Sequence, residues 1–217
     1  MILNNKTKRL LIYFVGLFIL ALGLTLNTKA NLGVSPIISV PYSISQITGL
    51  NFGDLTFIEY ALFVFVEIMI HLSEKNKKKI VADLLQLPLS LVFTRLLNIF
   101  SACIPTSSIF LVQLLILVLS IICTGIGAAM SLSMQLVPNP GDGIVQALAG
   151  KFNKSVGLTK NMFDCLSVCI TLCISLIFAH TILGIGIGTV IAVLGVGRVI
   201  ALFHHMFEYQ IIELVQG

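Results

Sequence analysis

Six apolar stretches dominate this chain, at about 10–27, 55–73, 80–104, 109–134, 161–180 and 183–206. Each approaches or exceeds the ~20 residues that a helix needs to cross a ~30 Å hydrocarbon core. In an open chain only helices can cross without leaving backbone amides unpaired in lipid. Composition points the same way. Of 217 residues, 57% are hydrophobic and 10% charged, with a mean hydropathy of +1.06, whereas a soluble domain carries about 25% charged residues. So few polar groups cannot cover a water-facing surface, which excludes a soluble enzyme, a disordered segment or a secreted disulfide domain. The expectation is an all-α integral membrane protein forming a single membrane domain over residues 1–217.

Lys6, Lys8 and Arg9 precede the first stretch and raise the question of a signal peptide. The apolar run is long, and Lys29 sits inside the only small-residue candidate cleavage site, so the stretch reads as a span. Orientation follows from the excess of Lys and Arg on the cytoplasmic side. Ten of the thirteen fall in three places: Lys6, Lys8 and Arg9; Lys75, Lys77, Lys78 and Lys79; Lys151, Lys154 and Lys160. These share one side if the chain crosses six times with both termini on the cytoplasmic side. Only Lys29 falls outside, and Arg95 and Arg198 lie within spans.

Residues 36–48 (PIISVPYSISQIT) and 140–152 (PGDGIVQALAGKF) are too short to cross. Segments of 10–14 apolar residues read as re-entrant or interfacial helices. They also mark an internal repeat. Ser35-Pro36 recurs 104 positions later as Asn139-Pro140, and Asn51-Phe52-Gly53 as Ser155-Val156-Gly157. After a one-residue slip, Arg95 matches Arg198, Gln86 falls opposite Thr189 and Phe100 opposite Phe203. The repeats cover about 8–104 and 109–207, each with three spans and one short helix. An odd number of spans inverts the second repeat in the membrane, a plan common among secondary transporters.

Several short patterns carry a family resemblance. Gly23, Leu26, Ala30, Leu32, Gly33, Ser35 and Pro36 form the first; Pro140 to Ile144 (PGDGI), Ser155 to Gly157, and Gly188-Thr189 with Gly197 follow. Together they make the chain similar to the YczE/YyaS/YitT family of bacterial membrane proteins, over nearly its whole length. The resemblance implies a multi-span inner-membrane protein and no settled substrate or activity.

Polar residues inside apolar spans are the candidates for chemistry, because a buried Arg or Asp costs about 2.5–3.5 kcal/mol even on lenient insertion scales. Arg95 lies 15 positions into its span, roughly 22 Å along at 1.5 Å per residue, and Arg198 occupies the mirror depth. Depth pairs Glu59 with Arg95 and Asp164 with Arg198, with Glu67 as a second partner for Arg198. These serve either as structural ion pairs or in ligand and proton handling. Ser35 and Asn139, each before a proline, read as helix starts whose free N–H groups and dipole suit an anion. Gly141 and Gly143 would allow close approach, although the same turns can simply reverse the chain. Asp142 either caps the short helix or contacts a cation or ligand. Asp83, behind Lys77 to Lys79, reads as a snorkelling interfacial charge. Cys165, Cys169 and Cys173 lie four apart on one helix face and read as packing residues. Gly184, Gly186, Gly188, Gly195 and Gly197 read as a thin helix face that permits close helix packing.

No hydrolase or kinase motif, metal-ligand spacing or cofactor signature is present, and no aromatic residues interleave the basic clusters, so neither an enzyme nor a nucleic-acid binder is expected. The reading is a carrier for a small anionic or zwitterionic solute. Arg95, Arg198, Ser35, Asn139, Gly141 and Asp142 would line a site at the repeat interface, and Glu59, Glu67 or Asp164 would couple a proton. A non-transporting membrane regulator or scaffold, or the solute-binding subunit of a larger transporter, are the alternatives. Partners are the lipid bilayer and an unknown solute, with a homodimer or a partner membrane protein left open.

Overall fold

Local sequence signals set several of the helix boundaries. The computed structural model describes residues 5–216, and its described regular structure is helical. In chain order the helices are α1 (Asn5–Lys29), a single 3-10 turn (Pro36–Ile38), α2 (Ser39–Thr48), α3 (Phe52–Ser73), α4 (Lys77–Cys103), α5 (Phe110–Ser133), α6 (Pro140–Phe152), α7 (Val156–Ala179) and α8 (Ile187–Gln216). Among the described residues, six helices are long and apolar enough to cross a membrane: α1, α3, α4, α5, α7 and the Ile187–Phe207 part of α8. They coincide with the six apolar stretches, and α2 and α6 are the two short segments.

Polar caps explain three of the starts. Asn51 accepts from the Asp54 amide at 3.0 Å, Asn139 from Gly141 at 3.1 Å and Ser155 from Leu158 at 3.3 Å, each satisfying an otherwise orphaned donor. Ser35 does not do the same. Its own amide donates to Asn27 Oδ1, and the 3-10 turn separates it from α2, whose start has no side-chain cap. Left-handed residues end three helices, at Gly49, Asn153 and His180.

The chain divides into two compact units. The first runs to Ser35, then from Ile99 to Leu136, then from Gly186 onward. It is organised by the α1–α5 seam, where Gly16 and Gly23, seven residues apart on one face, let the backbones touch. A Cβ on Gly16 would meet Met130 Cβ and Ser131 N at 2.9 Å, and one on Gly127 would meet Gly16 O and Leu20 Cα at 2.7 Å. Small residues are how membrane helices gain close van der Waals contact when lipid is as apolar as leucine. Ala30, Leu117, Ile121 and Ala192 form an apolar core that joins α8 to this seam.

Of the glycines expected to form a thin helix face, Gly188 and Gly195 lie on α8 and pack closely, the latter with its Cβ position 2.8 Å from Ile121, whereas a Cβ on Gly197 would meet nothing within 4 Å. Gly184 and Gly186 precede the helix, and Gly184 has φ +77°. Gly186 and Gly188 lie against Leu32, whose carbonyl accepts from the Gly188 amide at 2.7 Å.

The second unit runs from Pro36 to Asn98 and from Val137 to Ile185. In it α2 packs on α7, and α6 packs on α3 and α7. Two hydroxyl pairs join α2 to α7, Ser39–Thr171 at 2.7 Å and Ser43–Ser175 at 2.8 Å. Cys165, Cys169 and Cys173 are exposed on α7 rather than packed inside. The row formed by Ser167, Thr171 and Ser175 has the same four-residue period, offset by two positions and so about 200° away around the helix. Hydroxyls need partners and turn inward, while thiols are weakly polar and tolerate lipid.

Candidate functional site

Alternation along α3 and α4 builds a polar interior in the second unit. The buried residues of α3 are Gly53, Thr56, Tyr60, Val64, Glu67 and His71, a single stripe at steps of three and four. On α4 they begin Asp83, Gln86, Ser90 and continue to Leu97. The stripes therefore bring polar groups together deep between the helices. Gln86 Nε2 donates to Glu67 Oε2 at 2.7 Å. His71 Nδ1 and Asp83 Oδ2 are 2.6 Å apart. Glu67 and Gln86 are each 1% exposed, yet Glu67 Oε1 and Gln86 Oε1 have no hydrogen-bond partner among the described residues.

The first turns of α6 complete this site. Pro140 opens the helix, Asn139 caps it, and Gly143 lies against the Glu67 carboxylate. A Cβ on Gly143 would fall 2.7 and 2.9 Å from the two Glu67 oxygens and 3.0 Å from Gln86 Nε2, so a side chain there would push both polar groups from their places. Beside this contact is a cavity of about 290 Å³, lined by Glu67, His71, Asp83, Lys79, Gly143 and Gln146 among others.

A second polar group gathers around the α6 cap. The Asn139 side chain and Asp142 both interact with the Tyr60 hydroxyl, and Asp142 interacts electrostatically with Asp164. Lys160 Nζ approaches Asp164 Oδ1 at 3.7 Å. Burial raises the Asp142 carboxyl above its ordinary value of 3.8, and the Lys160 charge opposes that shift. Glu59 Oε2 is buried without a hydrogen-bond partner among the described residues and borders a mainly apolar cavity of about 300 Å³ with Phe63, Phe163 and Ser167.

These contacts correct the charge pairs read from depth alone. Arg95 binds Asp54, not Glu59, and both members are about half exposed. Within the second unit Asp164 pairs with Lys160, and Glu67 is held by Gln86. Arg198 is exposed on α8 in the first unit, with no ion pair found for it among the described residues. Asp83 is not a snorkelling charge: it is 3% exposed and paired with His71. Asn139 and Gly141 occupy the expected helix start, and Asp142 stands in its first turn.

His71 and Gln86 were not singled out as site residues, yet a signal for them exists. Antiparallel neighbours joined by a short turn bring together residues equally far from that turn. Counted from Lys77, His71 and Asp83 are equidistant, and Glu67 and Gln86 nearly so.

Six membrane-crossing helices and a buried polar interior define a polytopic integral membrane protein. Within that class, the chain belongs to the family of unknown function DUF6198, which matches residues 7–205. It is similar to the uncharacterized membrane protein YczE of Bacillus subtilis (strain 168), at 27% identity over 192 residues that cover 87% of this chain and 81% of the relative. The YczE-like resemblance read from the short glycine and proline patterns therefore holds. No solved structure matches.

Proposed function

We propose that this protein is a proton-coupled secondary transporter for a small solute, resident in a bacterial cytoplasmic membrane with both termini inside. The observation that carries this reading is the meeting of Glu67 and Gln86 with Gly143. A buried carboxylate with an unpartnered oxygen faces the start of a half-length helix, and ionisable groups held inside membrane segments typically mark solute or proton pathways. The two sides of the contact come from different repeats, as expected for a site at a repeat interface.

Helix packing supports an inverted repeat. At a spacing of about 104 residues, α2 corresponds to α6 and α3 to α7. The α2–α7 contact is then the image of the α6–α3 contact, and α1 packs on its own counterpart α5. On this reading α2 and α6 are the re-entrant pair, and the carboxylates at Glu59, Glu67 and Asp164 supply proton coupling. The anchoring role first given to Arg95 and Arg198 loses support, since both are exposed.

The test is reconstitution of the purified chain into liposomes under an imposed proton gradient, with a panel of labelled small solutes. Uptake above empty vesicles, abolished in Glu67→Gln, is the expected result. Tight binding without uptake would identify the solute-binding subunit of a larger transporter. Neither binding nor uptake would leave a regulator or scaffold.

A further inference from the structure

We propose that the 290 Å³ cavity beside Glu67 is a recognition site for the ammonium group of a small primary amine, either a free amine or the amino end of a zwitterion. This rests on the transport reading, because it assigns the solute chemistry of the same site. Charge pairing inside the cavity singles out Glu67. Asp83 is engaged by His71 at 2.6 Å, and Lys79, at the cavity's exposed edge, lies 3.8 Å from Glu74. Glu67 has a neutral amide donor on one oxygen, no partner on the other and no Lys or Arg ion pair among the described residues. Asp83 stands near enough to Glu67 to add like-charge repulsion, and a buried carboxylate beside another is costly unless a positive charge accompanies it.

The remaining acceptors suit N–H donors better than a bare metal ion. Glu67 Oε1 is a buried oxygen without a donor among the described residues, and Gln146 brings a side-chain amide to the same cavity. An ammonium group brings three donors and a unit charge, whereas calcium takes six to eight oxygen ligands and magnesium needs near-octahedral coordination. Among the described residues no three His, Cys, Asp or Glu side chains come together to hold a metal. Ala82, Ala147 and Pro138 supply apolar wall beside the acid, suited to the carbon skeleton of an organic amine. The volume lies near the lower end of small-molecule sites, about 300–1,000 Å³. Gly143 lets α6 pack directly against the acid, and a side chain there would displace the carboxylate from the cavity wall.

The experiment is calorimetric titration of the detergent-purified full chain with ethylamine and ethanolamine, with tetramethylammonium and sodium as comparison cations. Saturable binding of the primary amines is expected, with tetramethylammonium and sodium at least about tenfold weaker, because a charge-assisted hydrogen bond contributes about 1.5–3 kcal/mol. Glu67→Gln and Gly143→Ala should each weaken amine binding by tenfold or more, and Asp54→Asn, at an exposed ion pair, should leave it unchanged. Absence of saturable amine binding by the unaltered protein overturns the proposal even if a variant fails to fold. Equal affinity for tetramethylammonium overturns it too, as does binding that survives both site substitutions. Amine binding without liposome uptake would sustain this site and overturn transport. Uptake of a solute lacking an amine, with no amine binding, would sustain transport and overturn this site.

Discussion

Replacing Gly127 with alanine tests whether backbone contact between α1 and α5 organises the first unit. The added Cβ would lie 2.7 Å from both Gly16 O and Leu20 Cα, where ordinary contact begins near 3.4 Å. Leu20 N lies closer still, so the overlap exceeds 0.7 Å, and because the obstacles are main-chain atoms no rotamer change relieves it. The helices must separate, loosening neighbouring contacts such as Gly16 against Met130 and Gly23 against Thr124. Overpacking of this kind costs about 1–3 kcal/mol, and the immovable backbone places this case at the upper end. At about 2–4 °C per kcal/mol for a chain of this length, the melting temperature should fall by roughly 6–12 °C. Gly197→Ala is the matched control, since a Cβ there meets nothing within 4 Å. Helix propensity then favours alanine by about 0.5–1 kcal/mol. Thermal unfolding of the two detergent-purified variants should therefore shift in opposite directions. Gly16→Ala combined with Gly127→Ala should cost less than the sum of the single changes, because the first substitution already parts the helices. Loss of the same few degrees from Gly127→Ala and Gly197→Ala would refute the seam argument.

Two further outcomes follow from the second unit. His71→Leu should lower stability by about 3–5 kcal/mol by leaving Asp83 buried without its partner; adding Asp83→Leu should recover much of that loss in the same unfolding assay, and an additive double variant would contradict the pairing. Asp142 is held above its ordinary carboxyl value by burial, so the folded protein retains this proton more strongly than the unfolded chain. Its contribution is favourable at low pH and declines as pH rises from about 3.8 through the raised folded value. The melting temperature of Asp142→Asn relative to the unaltered protein should accordingly increase across that window, and a falling difference would show that Lys160 outweighs burial.

The amino-acid order alone specifies how many times the chain crosses, where it turns and which short segments do not cross, because bilayer thickness and backbone hydrogen bonding act on local stretches. It also specifies helix starts at Asn51, Asn139 and Ser155, where a cap and its amide are near neighbours in sequence. What it does not specify is azimuth. Asp54 and Glu59 are both depth-compatible with Arg95, but five residues place them about 140° apart around the helix, and only packing decides that Asp54 meets the arginine. The same holds for α7, where two interleaved four-residue rows are equally regular and the demand of hydroxyl groups for partners turns the Ser/Thr row inward. Asp83 carries the local signature of a surface charge, three lysines upstream, until α3 brings His71 against it. Glu67 becomes a candidate binding group through contacts from two other helices: Gln86 on α4 holds one oxygen, and Gly143 on α6 packs directly against the carboxylate. Depth in a membrane is a property of the sequence, whereas side-chain partnership depends on helix rotation and close approach, which only the packed structure determines.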